Sequence, residues 1–489
     1  MKRVVIIGGG ITGLAAAHRL LERSHESGER VDLTLLEASD RVGGIVQTRE
    51  HNGFLLESGP DSFISEKPAA LELVKRLGLE SHLIETNEHH RRSFIVRQGR
   101  LLPVPEGFHL LAPSRFWPFV KSDIFSWSGK ARMALDLLLR RRPENGGNAD
   151  ESLAQFVRRR LGTEALERMA QPMVGGIYTA DPEQLSLRAT MPRFLEMERE
   201  HRSVIRALRK QNRSPTVREG HTNREKDSPT SGARYSLFLS FDGGMQVLTD
   251  KLEGRISVGN GSAQTSIRLN TTVESITLEP SERSPRWRLK TSNNETFIAD
   301  AICLALPAYI SARLLKDLDS QLASELAGIS YASSATINLA YKREDIPHPL
   351  DGFGFVSPFI EKRSLIACTF SSVKFAGRAP QGHALLRAFV GGALQPELFE
   401  LSEAELLSRV CEDLRKLLGI ERAPLFAEVS RWERSMPQYH VGHLERVKRI
   451  EERVASLAGL VLAGNAYSGL GIPDCIRSGE AAADNIFLP

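Results

Sequence analysis

The 489-residue chain has little cysteine: Cys303, Cys368, Cys411 and Cys475 stand tens of residues apart. None belongs to a CxxC pair or stands at a histidine spacing that zinc ligation needs, which excludes a zinc module and a disulfide framework and implies a reducing compartment. No apolar run approaches the ~18 residues of a membrane span. The start, "MKRVVIIGGG", puts four apolar residues between a charged pair and three glycines, too few for a signal-peptide core. Neither charge sign dominates: Lys plus Arg number 64 and Asp plus Glu 60, a net +4. Without a clustered basic face, that balance speaks against nucleic acid and still suits an anionic small substrate. These absences predict a soluble, cytoplasmic protein, and a 41% hydrophobic content supplies core for two or three domains.

The strongest signal is at the N-terminus. "RVVIIGGGITGLAAAHRLL" is a strand-length apolar run, then Gly8, Gly10 and Gly13 in G-x-G-x-x-G order, then a helix rich in Ala and Leu. In such a motif the first glycine permits a tight turn, the second lets a pyrophosphate approach the backbone, and the third lets the helix pack on its strand. The helix N-terminus attracts the anion. After the loop "SHESGER" a second apolar run, "VDLTLLE", ends in Glu37, where an acid can accept ribose hydroxyls. Arg41, Gly43 and Gly44 follow in "ASDRVGGIVQT", and this R-x-G-G extension resembles flavoproteins of the amine oxidase and phytoene desaturase type.

Further along, "FLLESGPDSFISEKPAALELVKRLGL" predicts a strand, a loop at Gly59 to Ser62 and an amphipathic helix near Pro68 to Leu77. "RSFIVRQGRLLPVP" predicts a hairpin turning at Gln98-Gly99. Residues 115–200 read as mainly helical. In "FSWSGKARMALDLLLRRRP", Trp127, Leu135 and Leu137 to Leu139 above three arginines raise a membrane-docking surface, but the pattern reads better as a buried bundle helix. The tract 210–234 is too polar to build a core and reads as a mobile surface loop. The run from Ala301 to Leu306, stopped by Pro307, predicts a buried strand rejoining the N-terminal sheet. Strands dominate 328–395, and a helix spans 402–418. Finally "LVLAGNAYSGLGIPDCIRSGEAA" predicts strand, glycine-rich loop and a helix opening at Pro473, whose N-terminus offers free N–H groups to a flavin ring edge.

The segments "GPDSFISEK", "SGKARMALD", "MVGGIYTADPEQLSL", "LSFDGGMQVL", "GFGFV", "RWERSMPQYHVGH" and "GLGIPDCIRSG" occur in this order. Together they resemble the oxygen-dependent porphyrinogen oxidases of haem synthesis along nearly the whole chain, most nearly the soluble bacterial type. That resemblance implies an α/β fold: a Rossmann-like FAD domain from 1–65, 235–308 and 428–489, a mixed-sheet substrate domain from 66–112, 190–234 and 309–427, and a helical domain, 113–189. It implies FAD contacts at Gly8, Gly9, Gly10, Ile11, Thr12, Gly13, Glu37, Ala38, Arg41, Gly43 and Gly44. Further contacts are implied at Gly59, Pro60, Asp61, Ser62, Val273, Trp432, Gly471, Ile472 and Pro473. Substrate contacts are implied at Lys67, Gly175, Gly176 and Ile177, with Phe353, Phe355 and Phe370 as walls. Where plant and animal relatives carry a propionate-pairing arginine this chain has Ser93, so Lys67 is the first choice for that role, ahead of Arg91, Arg92 and Arg97.

The implied reaction is oxidation of coproporphyrinogen III to coproporphyrin III, and of protoporphyrinogen IX to protoporphyrin IX, by three successive hydride transfers to FAD with dioxygen as acceptor. Electron-rich pyrroles assist loss of hydride from a bridge carbon, so placement matters more than a side-chain base. No catalytic acid, base or metal is therefore expected, and His89 and His90 read as surface residues. Protoporphyrinogen oxidation as the main activity, a flavin amine oxidase or carotenoid desaturase, and a non-catalytic flavin-fold partner are the alternatives. An amine oxidase would line its flavin with an aromatic cage, for which the C-terminal loop offers only Tyr467. Peripheral membrane contact, ferrochelatase contact and oligomeric state are left open by the sequence.

Overall fold

A computed structural model describes residues 1–141, 150–211, 236–259, 263–279 and 286–487. Most of the polar tract 210–234 lies outside these ranges. The chain folds as two compact units, one from Met1–Glu85, Leu237–Tyr331 and His443–Pro489, the other from Thr86–Ser236 and Ala332–Gly442.

The first unit is organised on a five-stranded parallel sheet: β1 (Lys2–Ile7), β2 (Val31–Leu36), β3 (Ala263–Arg268), β4 (Ala301–Leu304) and β5 (Leu460–Leu462), in spatial order β3-β2-β1-β4-β5. The apolar run "VVII" becomes the centre of β1, with Val4 opposite both Leu33 and Ala301. Parallel strands covered on both faces need unbroken apolar runs, and all four residues of β4 are buried. Strand order reverses beside β1, since the chain first builds outward through β2 and β3 and then returns to its other side with β4. The crevice outside the carboxyl ends of β1 and β4 is where such a sheet takes a ligand.

Two helices, α1 (Ile11–Ser27) and α2 (Ile472–Phe487), pack on this sheet and on each other. α1 runs through "SHES", which the sequence reading gave to a loop, and ends at left-handed Gly28. Glu26 holds the added turn by pairing with Arg19 and Arg23.

The second unit holds a seven-stranded sheet in the order 426–437, 331–342, 383–391, 367–370, 354–356, 94–97, 100–103. The Phe94–Arg97 and Arg100–Pro103 strands form the expected hairpin, with Gln98 and Gly99 both at positive φ. Helix Glu403–Leu418 buries Leu406, Val410 and Leu414 against one face. Short helices fill 116–141 and 150–211, knit by a fully buried pair in which Arg160 Nε donates to Asp136 Oδ1 at 2.6 Å; Asp136 also accepts from Ser203 Oγ and Ile205 N.

The segment 125–141 departs from the buried helix expected of it. Helix Trp127–Ala134 turns inward Gly129, Lys130 and Met133, while Trp127 and Leu138 are 72% and 80% exposed. The inner face is taken by polar groups with fixed partners: Lys130 Nζ donates to Val120 O at 2.8 Å, and Asp136 is committed to Arg160. Met133 packs inward, while Trp127, Leu135 and Leu138 are left outward.

Candidate functional site

The glycine turn of the first unit lies at the carboxyl end of β1. Gly8 N donates to Leu36 O at 2.8 Å, and Leu14 N to Gly10 O at 3.0 Å, where α1 begins. Gly10 is the N-cap and offers no capping side chain, so the first-turn N–H groups of α1 are not taken by one. A Cβ at Gly13 would stand 1.9 Å from Gly8 O, so only glycine lets the helix close on the turn.

Glu37, at the end of β2, faces this turn. Its Oε2 accepts from Gly9 N at 2.6 Å and its Oε1 from Ser39 N at 2.9 Å. The loop after it docks on the same turn, with Gly43 N donating to Gly9 O at 2.8 Å. Arg41 closes that loop: Nη1 donates to Val42 O and Val46 O, and Nη2 to Gly44 O. Burial draws its guanidinium below the ordinary arginine range. Arg41 thus shapes the Gly43-Gly44 backbone. Ala38 is exposed. The loop Gly59 to Ser62 rests on the preceding one, since a Cβ at Gly59 would meet Ile45 O at 1.7 Å. Asp61 O accepts from Ser240 Oγ, and Asp61 Oδ1 from Ser62 Oγ; Pro60 is half-buried. Thr271 N reaches Glu37 O at 2.8 Å, which sets the backbone leading into Val273 beside Glu37, while the Val273 side chain joins the core with Ile7 and Leu36.

The C-terminal helix completes the arrangement. A Cβ at Gly479 would stand 2.2 Å from Thr12 O, and farther along Arg19 Nε meets Asp484 at 3.0 Å. The two helices therefore run in the same direction, and from these contacts α2 begins about one turn before α1. The Cys475 thiol hydrogen-bonds the Thr12 side chain, and burial raises its pKa to about 11. Gly471, Ile472 and Pro473 accordingly open α2 on the side where Gly10 and Ile11 open α1. Asp474, in the first turn of α2, is 4% exposed and takes Lys67 Nζ at 2.5 Å and Arg477 at 3.3 Å.

Residues 11–487 match the family model for flavin-containing amine oxidoreductases. The chain belongs to that family. It is 36% identical over 485 residues to a coproporphyrinogen III oxidase of Bacillus subtilis, covering 99% of this chain and 97% of that protein. It is 30% identical to the chloroplastic protoporphyrinogen oxidase 1 of Arabidopsis thaliana, over 98% and 87% of the two chains. A crystal structure of an Exiguobacterium sp. 255-15 protein, provisionally named a protoporphyrinogen oxidase, superposes with a TM-score of 0.82 at 32% identity, covering 99% and 98%. A putrescine oxidase at 17% identity and TM-score 0.66 shares the fold.

A member of the flavin-containing amine oxidoreductase family carries FAD, and the residues present suit it. A Cβ built on Gly10 has no atom within 4 Å, so backbone there faces open space. That space adjoins the first turn of α1, which favours a diphosphate, and Glu37, whose carboxylate suits ribose hydroxyls.

Of the other predicted residues, Lys67 is N-cap of helix Pro68–Leu77 and its side chain is half exposed. The rest belong to the second unit. Gly175, Gly176 and Ile177 lie on helix Gln171–Tyr178, with Ile177 exposed. Cβ atoms at Gly175 and Gly176 would touch Ile366 and Val356 at 3.7 and 3.6 Å. Phe355 and Phe370 lie in the core with Phe94, Tyr341 and Leu414, and Phe353 continues the Phe355 side of its strand. The opposite sheet face carries Val356, Thr369, Asn338 and Arg387, by the registers Gly354↔Thr369, Thr369↔Arg387 and Asn338↔Arg387. Sequence reasoning passed over these four, although strand alternation assigns them to the other side of "GFGFV" from its two phenylalanines. Trp432 is half-buried in strand Phe426–Pro437. Arg91 meets Glu88, Arg92 pairs with Asp351, and Arg97 acts on Glu164 across space. His89 is exposed and His90 half-exposed.

Proposed function

We propose that the chain oxidises coproporphyrinogen III to coproporphyrin III, with dioxygen as final acceptor, in haem synthesis. The observation that carries this reading is full-length identity of 36% to the Bacillus subtilis coproporphyrinogen III oxidase. When bound, FAD would supply the hydride acceptor. The chain's own residues bind, orient and exclude water: Gly8 to Gly13, Glu37, Ala38 and the Gly43-Gly44 loop hold the nucleotide end, and Gly59 to Ser62 and Gly471 to Pro473 the ring end. Val273 contributes backbone, and Trp432 a wall. Segments 1–65, 235–308 and 428–489 act as the FAD domain, 66–112, 190–234 and 309–427 as the substrate domain and 113–189 as the helical domain.

For the substrate, Lys67 is the propionate partner and Gly175 to Ile177 make the surface on which the ring lies, while Phe355 and Phe370 pack in the core behind the sheet. The pair with Asp474 keeps the Lys67 ammonium in place while its exposed half stays available to an anion. The working site is the cytoplasm. The outward Phe116, Trp117, Trp127 and Leu138 support a peripheral membrane contact.

The test is to purify the protein, record its visible spectrum, and follow porphyrin fluorescence from coproporphyrinogen III and protoporphyrinogen IX in parallel, with and without air. A flavin spectrum and air-dependent porphyrin formation, faster with coproporphyrinogen, are expected. A flavin-loaded protein that oxidises neither would overturn the reading. Protoporphyrinogen as main substrate is the second reading, favoured by the Arabidopsis relative.

A further inference from the structure

A pocket of ≈ 350 Å³ opens within the second unit between helix Gln171–Tyr178 and the ends of the inner strands 354–356, 367–370 and 383–391, lined among others by Gly175, Ser357, Arg363, Leu365, Ile366 and Ala393. That volume counts all space not filled by atoms, the open mouth included, so the pocket suits a side arm rather than a tetrapyrrole ring system. Leu365, Ile366 and Ala393 give it apolar walls, and two polar side chains stand in its lining with unused donors. Ser357 is only 4% exposed and its Oγ has no hydrogen-bond partner; Arg363 Nε is likewise buried without one.

Both residues are held in place by other atoms. Ser357 N donates to Ile366 O at 2.8 Å, and Arg363 O accepts from Gln395 Nε2 at 2.9 Å. Arg363 Nη1 reaches Asp413 Oδ1 at 3.3 Å, while Asp413 Oδ2 accepts from Ser364 N and Leu365 N. Asp413 thus spends much of its accepting capacity on backbone amides, and the guanidinium keeps an unanswered edge. Buried donors without acceptors cost stability, so their survival beside an apolar-walled pocket points to a ligand acceptor that completes them.

We propose that this pocket receives one carboxylate arm of the substrate, at a position where coproporphyrinogen carries a propionate and protoporphyrinogen a vinyl group. The inference rests on the functional reading above and gives it a basis for choice between the two substrates. The arm's methylenes meet Ile366 and Ala393, and its oxygens accept from Ser357 Oγ and Arg363 Nε. A site built to donate hydrogen bonds rejects an analogue that lacks the acceptor far more strongly than an apolar pocket rejects one missing a methylene. Ser357 and Arg363 are specificity-determining residues in this scheme.

The experiment measures binding of coproporphyrin III and protoporphyrin IX to the flavin-loaded enzyme by fluorescence quenching, for the parent, Ser357→Ala and Arg363→Gln. Ser357→Ala removes only an unpartnered hydroxyl, so its melting temperature and flavin content should match the parent, which keeps the test valid if Arg363→Gln folds poorly. Coproporphyrin affinity should fall about tenfold in Ser357→Ala and further in Arg363→Gln, with protoporphyrin affinity changed less than about twofold. Unchanged coproporphyrin affinity in Ser357→Ala, or equal losses for both porphyrins, would overturn the proposal. Failure of the functional reading looks different: the parent itself would oxidise neither porphyrinogen.

Discussion

Replacing Gly10 by alanine tests where the cofactor lies, because the protein itself gives no reason for the change to matter. Gly10 has φ −67° and ψ 174°, ordinary for any residue, and its added Cβ would meet nothing within 4 Å. Alanine is a poorer N-cap than glycine by a few tenths of a kcal/mol or more, while it loses about 0.4–1 kcal/mol less unfolded-state freedom. The two nearly cancel, so flavin-free protein should keep its stability within about 1 kcal/mol. With a diphosphate against the backbone at this point, the same methyl group overpacks the contact at about 1–3 kcal/mol. That corresponds to a loss of about 5- to 150-fold in FAD affinity. The assay is fluorescence titration of flavin-free protein with FAD, with melting curves at several FAD concentrations. Ligand-induced stabilisation should shrink while the flavin-free melting temperature stays put. Gly13→Ala is the contrast: its Cβ would lie 1.9 Å from backbone at Gly8, so it should destabilise the flavin-free protein too. A Gly10→Ala protein with unaltered FAD affinity would refute the placement of the diphosphate at this turn.

Gly479→Ala should lower both stability and flavin content, because its Cβ would stand 2.2 Å from Thr12 O and 3.0 Å from Ala16 N, forcing α2 off α1; the cost is about 1–3 kcal/mol, and a parent-like melting temperature would contradict the close approach. Lys67→Ala should raise the KM for coproporphyrinogen several-fold with flavin content unchanged, since Asp474 keeps Arg477 as partner; equal kinetics in variant and parent would remove Lys67 from the site. Acid should destabilise the protein through His18, whose burial lowers its pKa below 6.5. The unfolded chain then binds more protons than the folded one, so stability is complete above the unfolded value and is lost as pH falls from 6.5 through the folded pKa. His18→Gln should flatten the fall of melting temperature in that window, and an unchanged slope would assign the loss elsewhere.

The glycine turn and the loop that docks on it were legible because Gly13 and Arg41 serve local backbone geometry. Gly13 is forced by a carbonyl five residues away, and Arg41 is spent on carbonyls one to five residues from itself. Sequence proximity carries such constraints intact. The hairpin at Gln98-Gly99 was legible for the same reason. The C-terminal contribution needed one further step, that a strand near residue 460 rejoins the sheet; β5 pairs with β4 and delivers α2 to α1. Helix ends were less legible, since "SHES" has the composition of a loop and is held in α1 by ion pairs that propensity does not count.

Sidedness in the second unit was the harder problem. The phenylalanines of "GFGFV" attract attention as walls for a flat ring, yet a strand cannot turn neighbouring side chains the same way. Once Phe355 faces the helix Glu403–Leu418 core with Cys368 and Ala388, Gly354 and Val356 must face opposite, and the residues registered with them share that side. There the chain places Thr336, Asn338 and Arg387, all buried. This face therefore carries buried polar groups, while the other is organised around packing. Phe355→Leu should accordingly cost folding stability of about 1 kcal/mol or more with little change in substrate KM. A large KM increase at parent-like stability would return Phe355 to the substrate surface.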